Sequence, residues 1–486
     1  MIPFGEWAPD QGPTIPGLCM VADGVLPKAQ SYGPFAGPSV PVGAVALGAA
    51  PRGGFAARLT DGSWRIYALT ETELFILGAD YSWTSVEAGF TGPDAGNNWS
   101  CAQFGKFLLI TNVNDGMWAY DIELGGTGTY ISAAGDPGFI FTANSQVIGL
   151  NTLDNSGTRD NRRVKTSAFG KYDVWSGEGA DGLPLASGGA LLAGGDLLGG
   201  NGLLIQDSAL RIIKFGNFGN GRYFAIDTVS EALGTVSAQS CVFLDGAAYW
   251  LATDGFCKLA AGGGVQRIGA GKIDKWFLDR VDQAALGLVQ GAVDPFNKVV
   301  VWRFKREDVV SETVFENVIV HSWQWGKWVT APVATSYLLR FATPGYGVDD
   351  YDAAVDDVDI PVDDRFWAGG QPLFGALNGD FKMALFSGTA LQATLETSVS
   401  PNSVTGVLQW CRPNTDASEA TIEVGTSDNL QTALTWATGA AIDESGLVPL
   451  DARGLNVAFR MTIPAGSDWT DARGIAEVIG SKGGRR

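Results

Sequence analysis

From Phe55 onward the chain repeats one pattern: a short apolar run, a turn, and a second apolar run. In Leu59-Thr60-Asp61-Gly62-Ser63-Trp64-Arg65-Ile66-Tyr67 the Asp-Gly pair marks the hairpin turn. The same writing recurs in Gln103-Phe104-Gly105-Lys106-Phe107-Leu108-Leu109-Ile110, followed by Asp115-Gly116-Met117-Trp118. It recurs again around Asn144-Ser145-Gln146-Val147, around Leu244-Asp245-Gly246-Ala247 and around Pro295-Phe296-Asn297-Lys298. Gly105 and Ser145 lie 40 residues apart, Asp245 and Asn297 52 apart, and the 100 residues between Ser145 and Asp245 leave room for two further units. Two hairpins every 40 to 50 residues or so is the spacing of a propeller blade, a four-stranded sheet that buries its faces only against neighbouring blades. A plain β-sandwich is the alternative arrangement of the same hairpins.

Aromatic pairs near the ends of units support blades. Tyr81 with Trp83, Tyr172 with Trp175, and Trp325 with Trp328 place large rings where adjacent blades leave a gap. The best short helical candidate runs from Asp274 to Asp282, and Asp349 to Asp364 offers a second. From about Leu385 the pattern changes to strict alternation, as in Leu391 to Thr397, Thr421 to Thr426 and Val457 to Ile463. Alternation of this kind marks half-buried antiparallel strands in a separate domain.

The expected fold is therefore all-β: a β-propeller-like body of short antiparallel hairpins with a C-terminal antiparallel β-sandwich-like domain. Residues 1–50 are rich in Pro and Gly, and their prolines argue against a helix or a central strand. They read as an extended arm lying along the body or reaching a neighbour. Residues 51–346 form the body, 347–384 an acidic linker with a body-closing segment, and 385–486 the C-terminal domain.

Composition narrows the function. Charged residues make up 17%, while the chain holds 66 glycines and 16 tryptophans, which suits many short strands joined by tight turns. The net charge is −19, which opposes the phosphate contacts that drive nucleic-acid binding. An acidic surface past which DNA slides without sticking is compatible with that charge, and so is simple solubility. The five cysteines, Cys19, Cys101, Cys241, Cys257 and Cys411, form no CxxC pair and read as buried free thiols. No signal-peptide pattern opens the chain, and no apolar stretch is long enough for a membrane helix.

Candidate chemistry is sparse. His321 is the only histidine, so Ser-His-Asp and Cys-His schemes and histidine-based zinc sites find no support. The glycine pairs at 188–189, 194–195 and 199–200 and the triplet at 262–264 form no phosphate-binding loop and read as turns and bulges. One acidic run stands out: Asp349, Asp350, Asp352, Asp356, Asp357, Asp359, Asp363 and Asp364. It lacks the spacing of a helix–loop–helix calcium site and reads as a solvated loop that could face a channel. No catalytic residue, metal site or cofactor is assigned, and the chain is expected not to be an enzyme.

Several stretches resemble tail nozzle or hub structural proteins of short-tailed (podovirus-like) bacteriophages. Ile2-Pro3-Phe4-Gly5-Glu6-Trp7-Ala8-Pro9-Asp10 with Tyr32-Gly33-Pro34 is similar to how those proteins begin. Asp254-Gly255-Phe256, Val265 to Gly269 and Trp276-Phe277 resemble a mid-chain hairpin found there. Asp356 to Gly370 resembles a recurrent acidic linker, and Phe386-Ser387-Gly388, Leu391 to Thr397 and Ile463 to Trp469 with Gly474 resemble the last domain. The resemblance implies a virion component assembled in the host cytoplasm: a propeller ring, usually of six copies, below a tail adaptor and near tail fibres or spikes. Such a nozzle closes and then conducts the DNA exit channel without binding DNA specifically. It implies no catalytic residues. The alternative is a receptor- or glycan-binding tail protein using exposed tryptophans, or, further off, a glycosidase with paired carboxylates.

Overall fold

A computed structural model describes residues 1–197, 200–219, 221–244, 246–260, 262–311, 313–342, 372–401, 406–430 and 432–482. The middle strand of a hairpin repeat explains the architecture. Leu108, Leu109 and Ile110 are consecutive and all fully buried, as are Val299, Val300, Val301 and Trp302. Consecutive residues point to opposite faces of a strand, so a strand buried throughout must be covered on both faces. Radial packing of sheets supplies those two covers.

The described residues form seven such sheets. Blades 1 to 6 have four strands each in up-and-down order, and their first strands begin at residues 53, 100, 139, 191, 242 and 290. Blade 7 begins at residue 335 and consists of Thr335–Ala342, Pro372–Asn378 and Met383–Leu385. The first strands are the innermost. They touch in cyclic order, and Thr335–Ala342 closes the ring against Gly53–Arg58. The expected propeller is therefore present, with steps of 39 to 52 residues between blades.

Inner strands converge on the axis and need small residues. A Cβ on Gly194 would lie 2.5 Å from the Phe141 ring of blade 3, and one on Gly195 would lie 2.4 Å from the Phe243 ring of blade 5. Two adjacent glycines in blade 4 thus each admit an aromatic ring, one from each side. Further out, apolar clusters fill the gaps between blades. Tyr81 and Trp83 pack with Tyr337, Leu339 and Phe341 between blades 1 and 7. Trp175 and Tyr172 pack between blades 2 and 3, and Trp328 joins Phe256 and Trp302 between blades 5 and 6. Five of the six rings singled out in the sequence serve this purpose, and Trp325, 44% exposed, does not.

The ring is fastened by the beginning of the chain. Ser39 bridges to Leu385 through both backbone hydrogen bonds, 2.7 and 2.8 Å, at the outer edge of blade 7. Earlier residues go further. Ile2–Pro3, Val25–Pro27 and Tyr32–Pro34 join a sheet with Gly406–Thr415, Val448–Ala452 and Ala472–Lys482. Leu18–Asp23 joins a second sheet with Ala393–Thr397, Asn456–Ile463 and Thr421–Ser427. The two sheets enclose Leu395, Leu408, Cys411, Ile422, Phe459 and Ile475, forming the expected sandwich.

The expectation that residues 1–50 contain no central strand is corrected here. Leu18–Asp23 lies between Ala393–Thr397 on one side and Trp328–Ala331, the outer strand of blade 6, on the other. It escapes the proline argument because Pro16 and Pro27 flank it and none falls inside it. Blade 6 and one sheet of the sandwich consequently form a single 12-stranded sheet. One apolar cluster runs through blade 5, blade 6 and the sandwich, and includes Trp7, Trp302, Trp328 and Phe459.

The first helical candidate shrinks to Asp274–Leu278, and the second lies outside the described residues. Asp10 accepts the backbone N–H groups of Lys275 and Trp276 at 2.9 and 2.7 Å, so the first residues also cap the helix between blades 5 and 6.

Candidate functional site

All inner strands run the same way along the axis, so the loops that precede them share one face, here called the leading face. On it, Asn98 Nδ2 donates to Gln239 Oε1 at 2.7 Å. Asn98 precedes blade 2 and Gln239 precedes blade 5. These blades are not neighbours in the ring, so the bond crosses the propeller axis. Behind it a cavity of about 190 Å³ remains between Trp99, Cys101, Gln239, Gln290 and Tyr337.

Arg52 and Arg303 flank this crossing. Arg52 Nε donates to Asn98 Oδ1 at 3.2 Å, and its Nη2 donates to the carbonyl of Asp94 at 2.8 Å. Arg303 is 5% exposed, and its Nε donates to Gln290 Oε1 at 2.8 Å. Gln290 is itself fixed, since its Nε2 donates to Leu338 O and its Oε1 accepts from Leu338 N, both at 2.9 Å. Burial lowers the pKa of the Arg303 guanidinium to about 10, which leaves it charged at neutral pH. Sequence reasoning missed Arg303. The signal available was a cation inside the apolar run Val299-Val300-Val301-Trp302-Arg303-Phe304.

The acidic residues Asp349, Asp350, Asp352, Asp356, Asp357, Asp359, Asp363 and Asp364 lie outside the described residues. The described ends on either side, Ala342 and Pro372, pair with each other at the end of the blade 7 inner strand away from the leading face.

His321 is 4% exposed in blade 6, with its ring 4.4 Å from Trp328 and 6.2 Å from Tyr249. Burial first, then the charges of Lys272 and Lys258, lowers its pKa to about 3. A neutral imidazole walled by rings has no access to a substrate. Among the described residues, no group of three His, Cys, Asp or Glu side chains could hold a metal ion, and the exposed tryptophans are Trp325 and Trp410.

One further acid is perturbed. Asp274 Oδ1 accepts the Phe256 N–H at 3.0 Å, with Gly255 and Gly269 packed against the carboxylate. Burial raises its pKa to about 6, helped by Asp10 and Asp254 and opposed by the Phe256 N–H and Arg267. It sits in the joint between blade 5 and the capped helix, away from any described cavity.

No protein-family model and no curated protein matches the chain. Solved structures resemble it at the level of the propeller. YCF48 from Cyanidioschyzon merolae is similar over 64% of this chain and 94% of its own, at 10% identity and a TM-score of 0.37. The WD40 repeats of RRP9 are similar over 62% and 88%, at 9% identity and 0.36. A chain of the Mitotic Checkpoint Complex is similar over 64% and 87%, at 11% identity and 0.37. None of the three speaks to what this chain does.

Proposed function

We propose that the chain is a structural component of a phage tail, a ring-forming nozzle that closes and then conducts the DNA exit channel. The observation that carries this reading is the strand Leu18–Asp23, which makes blade 6 and the sandwich one continuous sheet. A part that holds back a pressurised genome must transmit force without hinging. Two β-units that share a sheet and an apolar core move as one block, whereas units joined by a linker do not. The order of tail-protein-like stretches along the sequence and the net charge of −19 agree with this reading.

The crossing at Asn98 and Gln239 shapes the proposal. In this reading DNA passes between copies of the chain around a central opening, not along the axis of one propeller. A closed ring, of six copies by the resemblance, meets the tail adaptor on one side and fibres or spikes on the other. Closure requires the same heterologous contact repeated at every subunit boundary.

Native mass measurement of the purified chain, with negative-stain images, tests this. A closed ring with a central opening is expected, alone or after addition to tail particles lacking the chain. A chain that stays monomeric and also fails to join such particles overturns the reading. Glycan affinity that disappears in Trp325→Ala or Trp410→Ala would point instead to a receptor-binding role.

A further inference from the structure

The leading face carries a cavity of about 370 Å³ between blades 1, 2, 6 and 7. Pro51, Ala285, Leu288 and Phe315 give it apolar walls, and Arg52 and Arg303 give it charge. Among the described residues its one lining carboxylate is Asp282, which is engaged with Lys305 at 3.0 Å and accepts the Ala284 N–H at 2.9 Å. Among the described residues no ion pair offsets the charge of the two arginines, in a chain of net charge −19.

Arg303 is the decisive residue. A guanidinium has five N–H donors. One of those on Arg303 goes to Gln290 at 2.8 Å, and one reaches the Thr335 carbonyl at a long 3.4 Å. The other three, all on the two terminal nitrogens, have no protein acceptor among the described residues. The group also lies 4.5 Å from the Phe315 ring centre and 5.9 Å from that of Tyr337, so it cannot swing to solvent without losing both faces. Neither arginine makes an ion pair among the described residues. Arg52 feels Glu71 only at longer range, and its Nη1 has no partner in the described structure.

A guanidinium held at 5% exposure with no ion pair among the described residues is costly. The arrangement makes sense if the terminal edge of Arg303 awaits a planar anion. We infer that this cavity binds a carboxylate, the Glu or Asp side chain of a docked polypeptide segment, with Arg303 gripping its oxygens and Arg52 adding charge at the rim. The apolar walls suit the methylenes of such a side chain, and the volume suits one or two side chains, not a folded domain. Phosphates on the convex surface of a DNA duplex do not reach a group only 5% exposed. This inference goes beyond the nozzle reading and stands on the monomer, so ring formation and carboxylate binding fail or succeed separately.

The test is calorimetric titration of the full chain with N-acetyl-glutamate amide, its glutamine counterpart and inorganic phosphate. The glutamate probe should bind, and the glutamine probe should bind about tenfold more weakly or not at all. Arg303→Lys keeps the charge but lacks the fork, and should weaken the glutamate probe about tenfold or more. Equal binding of the two amides, phosphate binding without glutamate binding, or unchanged affinity in Arg303→Lys overturns the inference. If Arg303→Lys does not fold, the unaltered chain still decides. Its Tm should rise with the glutamate amide and not with the glutamine amide at matched ionic strength, and equal shifts overturn the assignment.

Discussion

Thr330 and Asp23 meet across the seam between propeller and sandwich. They are register partners in a parallel pair, and the Thr330 hydroxyl donates to Asp23 Oδ1 at 2.7 Å. Burial raises the pKa of the Asp23 carboxyl, and the Thr330 hydroxyl is the first group pulling it back. Thr330→Val keeps the shape and removes that donor, leaving a largely desolvated carboxylate short of a partner. A loss of about 1–3 kcal/mol is expected in urea denaturation. A seam that matters should also broaden or split the unfolding transition in this variant. An unchanged midpoint would show that the bond contributes nothing.

The residue after Asp23 tests the same seam through the backbone. Gly24 has φ +67, and a Cβ there would stand 2.0 Å from the Gln392 carbonyl oxygen. Gly24→Ala is expected to destabilise by about 1–3 kcal/mol from backbone strain alone, with the carbonyl clash added to it. Gly466→Ala is the control, since it has φ +80 but open space around it. Comparable losses in both variants would mean that strain, and not closeness at the seam, governs.

How far the sequence revealed this architecture depended on whether signal and structure were local. Blade 2 was legible because its turn residue Gly105 and its apolar run Leu108 to Ile110 sit side by side in the chain. Blade 7 was not, because its inner and middle strands are separated by residues 343–371 and its outer edge comes from Ser39. The strands of residues 1–34 were hidden for a related reason. Their partners, such as Ala472 for Tyr32, lie at the other end of the chain, while the prolines around them are the strongest local signal. Arg303 was hidden because a cation in an apolar run carries no sign of the Gln290, Phe315 and Tyr337 that fold around it.

Asp274 predicts a pH dependence with a definite sign. Its pKa is raised from the ordinary 3.8 to about 6, so between those values the folded chain holds a proton that the unfolded chain has released. That contribution to stability is full below pH 4 or so and is lost as pH rises through about 6. At 1.36 kcal/mol per unit the loss is at most about 3 kcal/mol. Asp274→Asn keeps an oxygen to accept the Phe256 N–H and cannot ionise. The variant should be more stable than the parent at pH 8, with the difference vanishing near pH 4. Lower stability of the variant at pH 8 would mean that the charge is compensated, with Arg267 the first group to examine.

The thiols give a prediction about accessibility. Burial raises the pKa of Cys19, Cys101, Cys241, Cys257 and Cys411 to about 12 in each case. Cys19, Cys257 and Cys411 are buried and Cys101 and Cys241 half-buried, and a thiol that stays protonated attacks a disulfide reagent slowly. Ellman's reagent should leave the three buried thiols untouched in the native chain, react only slowly with Cys101 and Cys241, and titrate all five in urea. A thiol that reacts rapidly under native conditions would place local opening at its blade, and Cys101, next to the axial cavity, would be the informative one.

The axial bond between Asn98 and Gln239 separates two ways in which a propeller could serve a channel. If DNA passed through the propeller itself, this crossing would be a gate, and Asn98→Ala with Gln239→Ala would speed genome release. If the channel lies between subunits, the bond only stiffens the leading face. The double variant should then lose about 1 kcal/mol of stability, with most of the coupling between the two sites removed in a double-mutant cycle. Release rates should not change. That second outcome is expected, because opening the bond exposes only the cavity of about 190 Å³ behind it, still walled by Trp99, Gln290 and Tyr337. A faster release in the double variant would move the channel onto the propeller axis and would require those three side chains to move as well.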